Sequence, residues 1–237
     1  MLEQSDIQAK FESLEIDIPK TTVIGTDEYD RFMEDNGLWE KALYAPDDQE
    51  LERLFLDARF SLDIMLKLES YLQENTSPLA VRSSSLLEDS QYQPLAGTYA
   101  TFMLPNNQPT VKERLHLLLK TIKRIYASTF KGDARTLLEN TAHRIEEEKM
   151  AVIIMKISGQ EYSSGRYYPT ISGVLRSINY YPVSYMTRDE GVAYLALGFG
   201  KTIVDGGKCL RISPKYPNIQ PQFFSTRSTL QSSQNQF

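Results

Sequence analysis

One short block in the first half of the chain places an arginine among hydroxyl side chains and ahead of a glycine turn. Arg82 follows the apolar residues from Leu79 to Val81 and precedes a run of serines, and Gly97 comes shortly afterwards. A guanidinium can bind a phosphate through paired hydrogen bonds, and a glycine turn lets backbone amides approach phosphate oxygens closely. This combination is typical of a polyphosphate site.

The same residue types also fit a surface loop in which Arg82 pairs with Glu88 or Asp89. The spacing favours neither interpretation over the other. Hydrogen-bonded phosphate binding and a local ion pair therefore both stay open at this point.

Other candidate groups favour structural roles. Gly206-Gly-Lys208 lacks the wider spacing of a P-loop, so a turn between two strands is the better interpretation. His116 and His143 both fall in predicted helices, which favours surface or packing roles over a phosphocarrier role. Cys209 lies in a strand pattern and is predicted to be a core residue.

Composition predicts a folded protein with a substantial core. The chain has 237 residues, of which 41% are hydrophobic and 24% charged. The formal charge of −5 disfavours a general nucleic-acid coat, so nucleic acid is not expected as a partner. Asp205 is the last acidic residue of the sequence, and the segment after it carries only basic charges.

Nothing in the sequence is typical of export or of a membrane span. The first twenty or so residues are polar and acidic, unlike a secretory signal, and no apolar run approaches about 18 residues. A single cysteine excludes an internal disulfide. We therefore expect a cytoplasmic protein without a membrane partner.

Hydrophobic periodicity predicts an α+β fold, with helices concentrated in the first half and strands in the second. Helical spacing covers 26–37, two segments within 47–75, 109–130 and 137–148. Strand patterns cover 21–25, 79–84, 99–104, 150–157, 172–179, 193–198 and 209–213. Basic side chains of the 109–130 helix are expected on a solvated face.

The Arg82 block also resembles a known family. It reads LAVRSSSLLEDS at 79–90 and PLAGTYATF at 94–102, similar in order and spacing to the amino-terminal domains of phosphoenolpyruvate synthases and pyruvate phosphate dikinases. Further similarity lies at 18–25, 172–175, 196–200 and 204–206, so it extends over about 18–214. We predict one partial domain over 1–214 and a poorly ordered, Ser/Gln-rich tail over 215–237.

The resemblance implies an ATP-grasp-like fold that binds Mg-ATP and phosphorylates a histidine on a separate domain, from which the phosphoryl group reaches pyruvate to give phosphoenolpyruvate. The expected partners are a nucleotide and the phosphohistidine and pyruvate-binding domains of a parent enzyme. Arg82 is the implied catalytic and phosphate-binding residue. The remaining implied nucleotide contacts are Ser83, Gly97, Thr98, Thr101, Met155 and Ile157, of which the last two belong to a 150–158 segment on the adenine side.

Several features depart from the family pattern. The lysine loop that usually precedes this region and the Asp-x-Glu strand that usually holds the metal are missing, so metal ligands are expected outside the chain and the isolated chain is expected to be inactive. Met155, Arg176 and Lys201 replace a usual glutamine, aromatic residue and glutamate. A related dikinase with another phosphoryl acceptor and a non-catalytic nucleotide-binding or regulatory module are the alternatives.

Overall fold

The structure, a computed structural model, describes residues 13–85, 100–132, 148–163, 165–183, 185–204, 206–223 and 225–235. The chain divides into two compact units, Met1–Ile157 and Ser158–Phe237. Both helices and strands occur, which confirms the α+β class. The predicted helix over 137–148 falls almost entirely outside the described residues.

The first unit contains a sheet and a layer of helices. In chain order its elements are β1 (Thr21–Ile24), α1 (Thr26–Asp35), α2 (Leu38–Leu43), α3 (Asp48–Asp57), α4 (Leu62–Glu74), β2 (Leu79–Ser85), β3 (Thr101–Leu104), α5 (Val111–Ser128) and β4 (Met150–Lys156). The sequence predicted all of these except α2. Gly37, which stops α1 in the left-handed conformation at φ 55°, is followed at once by α2 rather than by a loop.

The sheet has the order β1-β4-β2-β3, and each pair of neighbours is antiparallel. Side chains alternate between its two faces. On one face, Leu79, Val81, Val152 and Ile154 are buried in the core that α1 to α5 complete. The other face carries Arg82.

An aromatic cluster fills the centre of the helical layer. Tyr29 and Phe32 of α1 meet Tyr126 of α5, with ring centroids 4.9 Å and 5.4 Å from that of Tyr126. Phe60, from the loop before α4, lies 4.6 Å from Phe32. These rings join α1, α5 and the loop before α4 into one packed body, and this body supports the buried face of the sheet.

Two basic residues of α5 form hydrogen bonds with α3. The ammonium of Lys123 donates to the backbone oxygen of Leu56 at 2.8 Å, at the end of α3, and burial lowers its pKa. The guanidinium of Arg124 donates to the carboxylate of Glu52 on α3 at 2.8 Å. The expectation of a purely solvated basic face was therefore wrong for these two residues, because α3 lies within reach of them.

A polar clamp holds the segment that leads into β2. Nη1 of Arg114, on α5, donates to the backbone oxygens of Leu72 and Asn75 at 2.9 Å and 3.1 Å. The side chain of Asn106 donates to the backbone oxygens of Asn75 and Ser77, both at 2.9 Å. These donors satisfy carbonyls that the end of α4 leaves without helical partners. The clamp therefore fixes where β2 begins.

The second unit contains a hairpin and a three-stranded antiparallel sheet. Its elements are β5 (Gln160–Tyr162), β6 (Arg166–Tyr168), β7 (Ile171–Arg176), a 3-10 helix (Arg188–Glu190), β8 (Val192–Leu197), α6 (Lys201–Val204), β9 (Leu210–Ile212), a 3-10 helix (Pro221–Phe223) and α7 (Thr226–Ser232). The sheet order is β7-β8-β9, so β7 lies at an edge. The sequence did not predict the β5-β6 hairpin or α6.

Two details differ from the sequence predictions. Gly206-Gly-Lys208 joins α6 to β9, so it is a helix-to-strand turn; the amide of Gly207 donates to the backbone oxygen of Thr202 at 2.6 Å. Cys209 precedes β9 and is only half-buried, although burial still raises its thiol pKa. Ser225 caps α7 by accepting from the amide of Ser228 at 3.1 Å, and the poorly ordered tail over 215–237 stays a prediction.

Candidate functional site

Arg82 lies in the middle of the sheet of the first unit. It belongs to β2, which has a neighbour on each side, and it is directly opposite Thr101 of β3 and Ile153 of β4. The residue is exposed, and among the described residues its guanidinium has no hydrogen-bond or ion-pair partner. Glu88 and Asp89, the alternative partners, lie outside the described residues. A charged donor group therefore projects from the face opposite the helices.

We call this surface the open face. Alternation and strand register place on it the side chains of Thr21, Val23, Ala80, Arg82, Ser84, Thr101, Met103, Ala151, Ile153 and Met155. Val23 is 59% exposed and Met103 56% exposed, although both lie on strands within a sheet. Large apolar side chains left exposed on a sheet face are typical of a binding surface.

The open face has a polar part and an apolar part. Arg82, Ser84 and Thr101 lie toward the end of the sheet where β2 finishes and β3 begins. Met155 is opposite Ala80, two residues along the strands from the row that contains Arg82. At a rise of about 3.4 Å per residue, the two rows are about 7 Å apart. A ligand with an anionic end and a flat apolar body fits this arrangement.

The predicted site residues fall into three groups. Arg82, Thr101 and Met155 share the open face. Ser83 is 4% exposed and lies on the opposite face, with its amide donating to the backbone oxygen of Ala100 at 3.4 Å. Ile157 is also buried, just after β4, and its amide donates to the backbone oxygen of Pro78 at 2.9 Å. Gly97 and Thr98 lie outside the described residues.

Two apolar residues of the open face were missed in the sequence. Val23 lies in the row of Arg82 and Ile153, and Met103 lies in the row of Ala80 and Met155. Side chains alternate between the two faces along each strand. Once the strand register is known, this alternation identifies the residues that share a face with Arg82. The sequence alone does not give the register, because β4 pairs with β1 and β2 across long stretches of intervening chain.

The other candidates stay apart from the open face or outside the described residues. His116 is exposed on α5, and His143 lies outside the described residues. Within the described ranges, no group of three or more His, Cys, Asp or Glu side chains is placed to hold a metal ion. Lys201 begins α6 and Arg176 ends β7, so both belong to the second unit.

A separate surface pocket lies near the start of β1 and the end of α4. Its volume is about 350 Å³, and burial raises the pKa of its Tyr71 phenol, which therefore stays protonated at neutral pH. The pocket is lined by Lys20, Thr21, Thr22, Tyr71, Glu74 and Asn75. Thr21 also belongs to the open face, at its apolar end.

The comparisons with known proteins agree with the Arg82 block. The sequence pattern of the family described as pyruvate phosphate dikinase, AMP/ATP-binding domain, matches residues 5–236. The chain belongs to this family. As a member of the pyruvate phosphate dikinase AMP/ATP-binding family it is a nucleotide-binding domain, which confirms the relationship inferred from the sequence.

A curated relative gives a further indication. The chain is 29% identical, over 192 residues, to the uncharacterized phosphotransferase YvkC of Bacillus subtilis (strain 168). The alignment covers 80% of this chain but 20% of the relative. The chain thus corresponds to a small part of that phosphotransferase. Within the described part of the chain, no helix is both long enough and apolar enough to cross a bilayer.

Proposed function

We propose that the chain binds an adenine nucleotide on the open face, as the nucleotide-binding part of a dikinase-like phosphotransferase. The observation that carries the proposal is the position of Arg82, which is exposed in the centre of the sheet without a described partner. Phosphate oxygens would accept hydrogen bonds from its guanidinium, and Thr101 would donate a further one. Met155 and Ile153 would support the base.

The geometry supports binding and orientation. Arg82 is held on a central strand, whose start is fixed by the Arg114 and Asn106 clamp. The strand fixes the position from which the guanidinium extends, and the planar guanidinium can orient a phosphate and neutralise part of its charge. These two contributions are the main ones that proteins make to phosphoryl transfer.

The rest of the proposed activity is inferred from membership of the family. An ATP-grasp-like domain would clamp ATP with Mg²⁺ held by groups elsewhere, and would phosphorylate a histidine on another domain on the way to phosphoenolpyruvate. Family membership over 5–236 and the similarity to a phosphotransferase support this extension. A dikinase with another acceptor would use the same nucleotide-binding face.

A second candidate function is a non-catalytic, nucleotide-binding regulatory module. The composition of the open face favours it, because Arg82 is the only charged side chain among the described residues that form this face. Incubation with labelled ATP, Mg²⁺, pyruvate and the separate domain that carries the acceptor histidine distinguishes the candidates, because the chain alone is expected to be inactive in either case. Protein-bound phosphate or released phosphoenolpyruvate would support catalysis, whereas saturable nucleotide binding without transfer would support the regulatory module.

Calorimetry with Arg82→Gln tests the proposed site. The change should weaken ATP binding by about 1.5 to 3 kcal/mol, the range for a charged hydrogen bond, or roughly tenfold to 150-fold. Stability should change little, since the exposed guanidinium has no described partner to lose. Arg59→Gln is the matched control, because it removes one exposed positive charge from the loop between α3 and α4. Unchanged ATP affinity in a folded Arg82→Gln protein would refute the site.

A further inference from the structure

The surface pocket near the start of β1 is lined by charged groups of both signs. Lys20 contributes an ammonium, and Glu74, the last residue of α4, contributes a carboxylate. Both residues are exposed, and their side chains form no ion pair with each other. The pocket therefore presents two opposite charges that do not neutralise each other.

Hydroxyl and amide groups line the rest of the pocket. They belong to Thr21, Thr22, Tyr71 and Asn75. Burial raises the pKa of the Tyr71 phenol, so the phenol keeps its proton at neutral pH and can donate a hydrogen bond. Its oxygen is shielded from solvent and has no hydrogen-bond partner among the described residues. Buried hydroxyls are normally hydrogen-bonded, and a bound molecule can supply the partner.

The backbone on both sides of the pocket is held in place. The backbone oxygen of Lys20 accepts from the amide of Lys156 on β4 at 3.1 Å, which extends the pairing of β1 with β4. Beyond the end of α4, the backbone oxygen of Asn75 accepts from the clamp residues Arg114 and Asn106 at 3.1 Å and 2.9 Å. The walls are therefore formed without a ligand, and binding requires little ordering of the backbone.

We propose that this pocket is a second binding site, whose ligand is a free α-amino acid. None of the lining residues is among the proposed nucleotide contacts, so the proposal goes beyond the proposed function. The ammonium of Lys20 pairs with the α-carboxylate of the ligand, and the carboxylate of Glu74 pairs with its α-ammonium. A zwitterion satisfies both charges at once, whereas a simple anion or cation pairs with only one of them. The volume of about 350 Å³ lies at the lower end of the range for small-molecule sites, about 300 to 1,000 Å³.

The experiment is saturation-transfer NMR of the full chain with each of the genetically encoded L-amino acids, followed by calorimetry of those that bind. We expect saturable binding. N-acetylation of the bound amino acid, or amidation of its α-carboxylate, should weaken binding by at least about tenfold, because each removes one charged hydrogen bond. Lys20→Met and Glu74→Gln should each weaken it by a similar factor. Lys112→Met and Glu69→Gln remove the same charges outside the pocket and should leave the affinity unchanged.

Failure of every amino acid to bind the folded chain would overturn this inference and leave the proposed nucleotide site standing. Undiminished binding in Lys20→Met or Glu74→Gln, or equally tight binding of the blocked derivatives, would overturn it as well. A repeat of the titration in saturating ATP tests whether the sites are separate. Simultaneous binding supports a second site, whereas competition would assign the amino acid to the nucleotide site and refute the inference. Absence of ATP binding alone would overturn only the proposed function.

Discussion

At the scale of single residues, neighbouring positions on β2 have opposite environments. Arg82 projects from the open face, whereas Ser83 is 4% exposed on the face that packs against helices. The Arg-Ser-Ser motif therefore contains residues with different tasks. The motif predicts the place of the site but not which of its side chains reach a ligand.

Two variants, one on each face of the sheet, distinguish ligand binding from core packing. Thr101→Val removes a hydroxyl from the open face, directly opposite Arg82, and should weaken ATP binding by about 0.5 to 1.5 kcal/mol. Ser83→Ala removes a hydroxyl from the buried face and should change the free energy of unfolding while ATP affinity stays the same. Calorimetry and urea unfolding of both variants give the two quantities. Reversed effects would mean that Ser83, not Thr101, faces the ligand.

The sequence can indicate only those roles that follow from the type of a residue and its immediate neighbours. Arg82 could be named as a candidate because a charged donor between an apolar strand and a glycine turn is an unusual combination, and its phosphate-binding role stays a prediction. Val23 and Met103 could not, because they are ordinary strand residues until the strand pairing places them on the same face as Arg82. Local chemistry is visible in a sequence, whereas contacts across the sheet are not.

At the scale of elements, long amphipathic segments were predictable and short ones were not. Helix α5 has an apolar face and a capping box formed by Thr110 and Glu113, both of which follow a known pattern. Strands β5 and β6 have three residues each, too few for a reliable alternation. The clamp on β2 has no sequence signal, since Arg114 resembles any other basic residue of its helix.

The clamp gives a prediction at this scale. Arg114→Met keeps the length of the side chain but removes the bonds to the backbone oxygens of Leu72 and Asn75. We expect a loss of about 1.5 to 3 kcal/mol in the free energy of unfolding, because carbonyls at the end of α4 lose a charged donor. The measurement is urea unfolding followed by circular dichroism.

Two controls sharpen that result. Lys112→Met removes a positive charge from an exposed position on the same helix and should change stability little. Asn106 has φ of 52°, so Asn106→Gly should cost less than Asn106→Ala, since glycine adopts this conformation without strain. Equal losses for Arg114→Met and Lys112→Met would mean that the clamp contributes nothing measurable.

At the scale of the whole molecule, charge is divided unevenly between the two units. Of the 26 basic and 31 acidic residues, eight and four lie after Ile157, so the second unit carries +4 and the first −9. Among the described residues, the open face thus presents a single positive charge on a strongly acidic unit. Long-range repulsion of nucleotide anions should weaken as salt screens it, while the short contact with Arg82 is screened less.

Stability should respond to pH through Glu28. This carboxyl is almost buried beside Arg31 and Ser61, and its pKa is raised above the ordinary 4.5, mainly by desolvation. The folded state therefore holds the proton more tightly than the unfolded chain does. The resulting stabilisation is complete below the ordinary pKa and is lost as the pH rises through the raised value.

Glu28→Gln tests this expectation, because glutamine keeps the shape without titrating. The free energy of unfolding of the parent should fall relative to that of the variant as the pH rises from about 4 toward neutrality. Glu34→Gln, at an exposed position of the same helix, serves as the control. Parallel stability curves for parent and Glu28→Gln across this range would contradict the assignment.

The edge position of β7 has a consequence for how the protein behaves in concentrated solution. The strand has a hydrogen-bonded neighbour on one side only among the described strands, and its Leu175 is 76% exposed. An edge strand of this kind has backbone groups that can pair with a strand of another chain. The exposed apolar side chain beside them favours such contacts, and aggregation can follow. We therefore expect aggregation at high protein concentration to involve this strand, and Leu175→Lys should reduce precipitation by placing a charge on the edge.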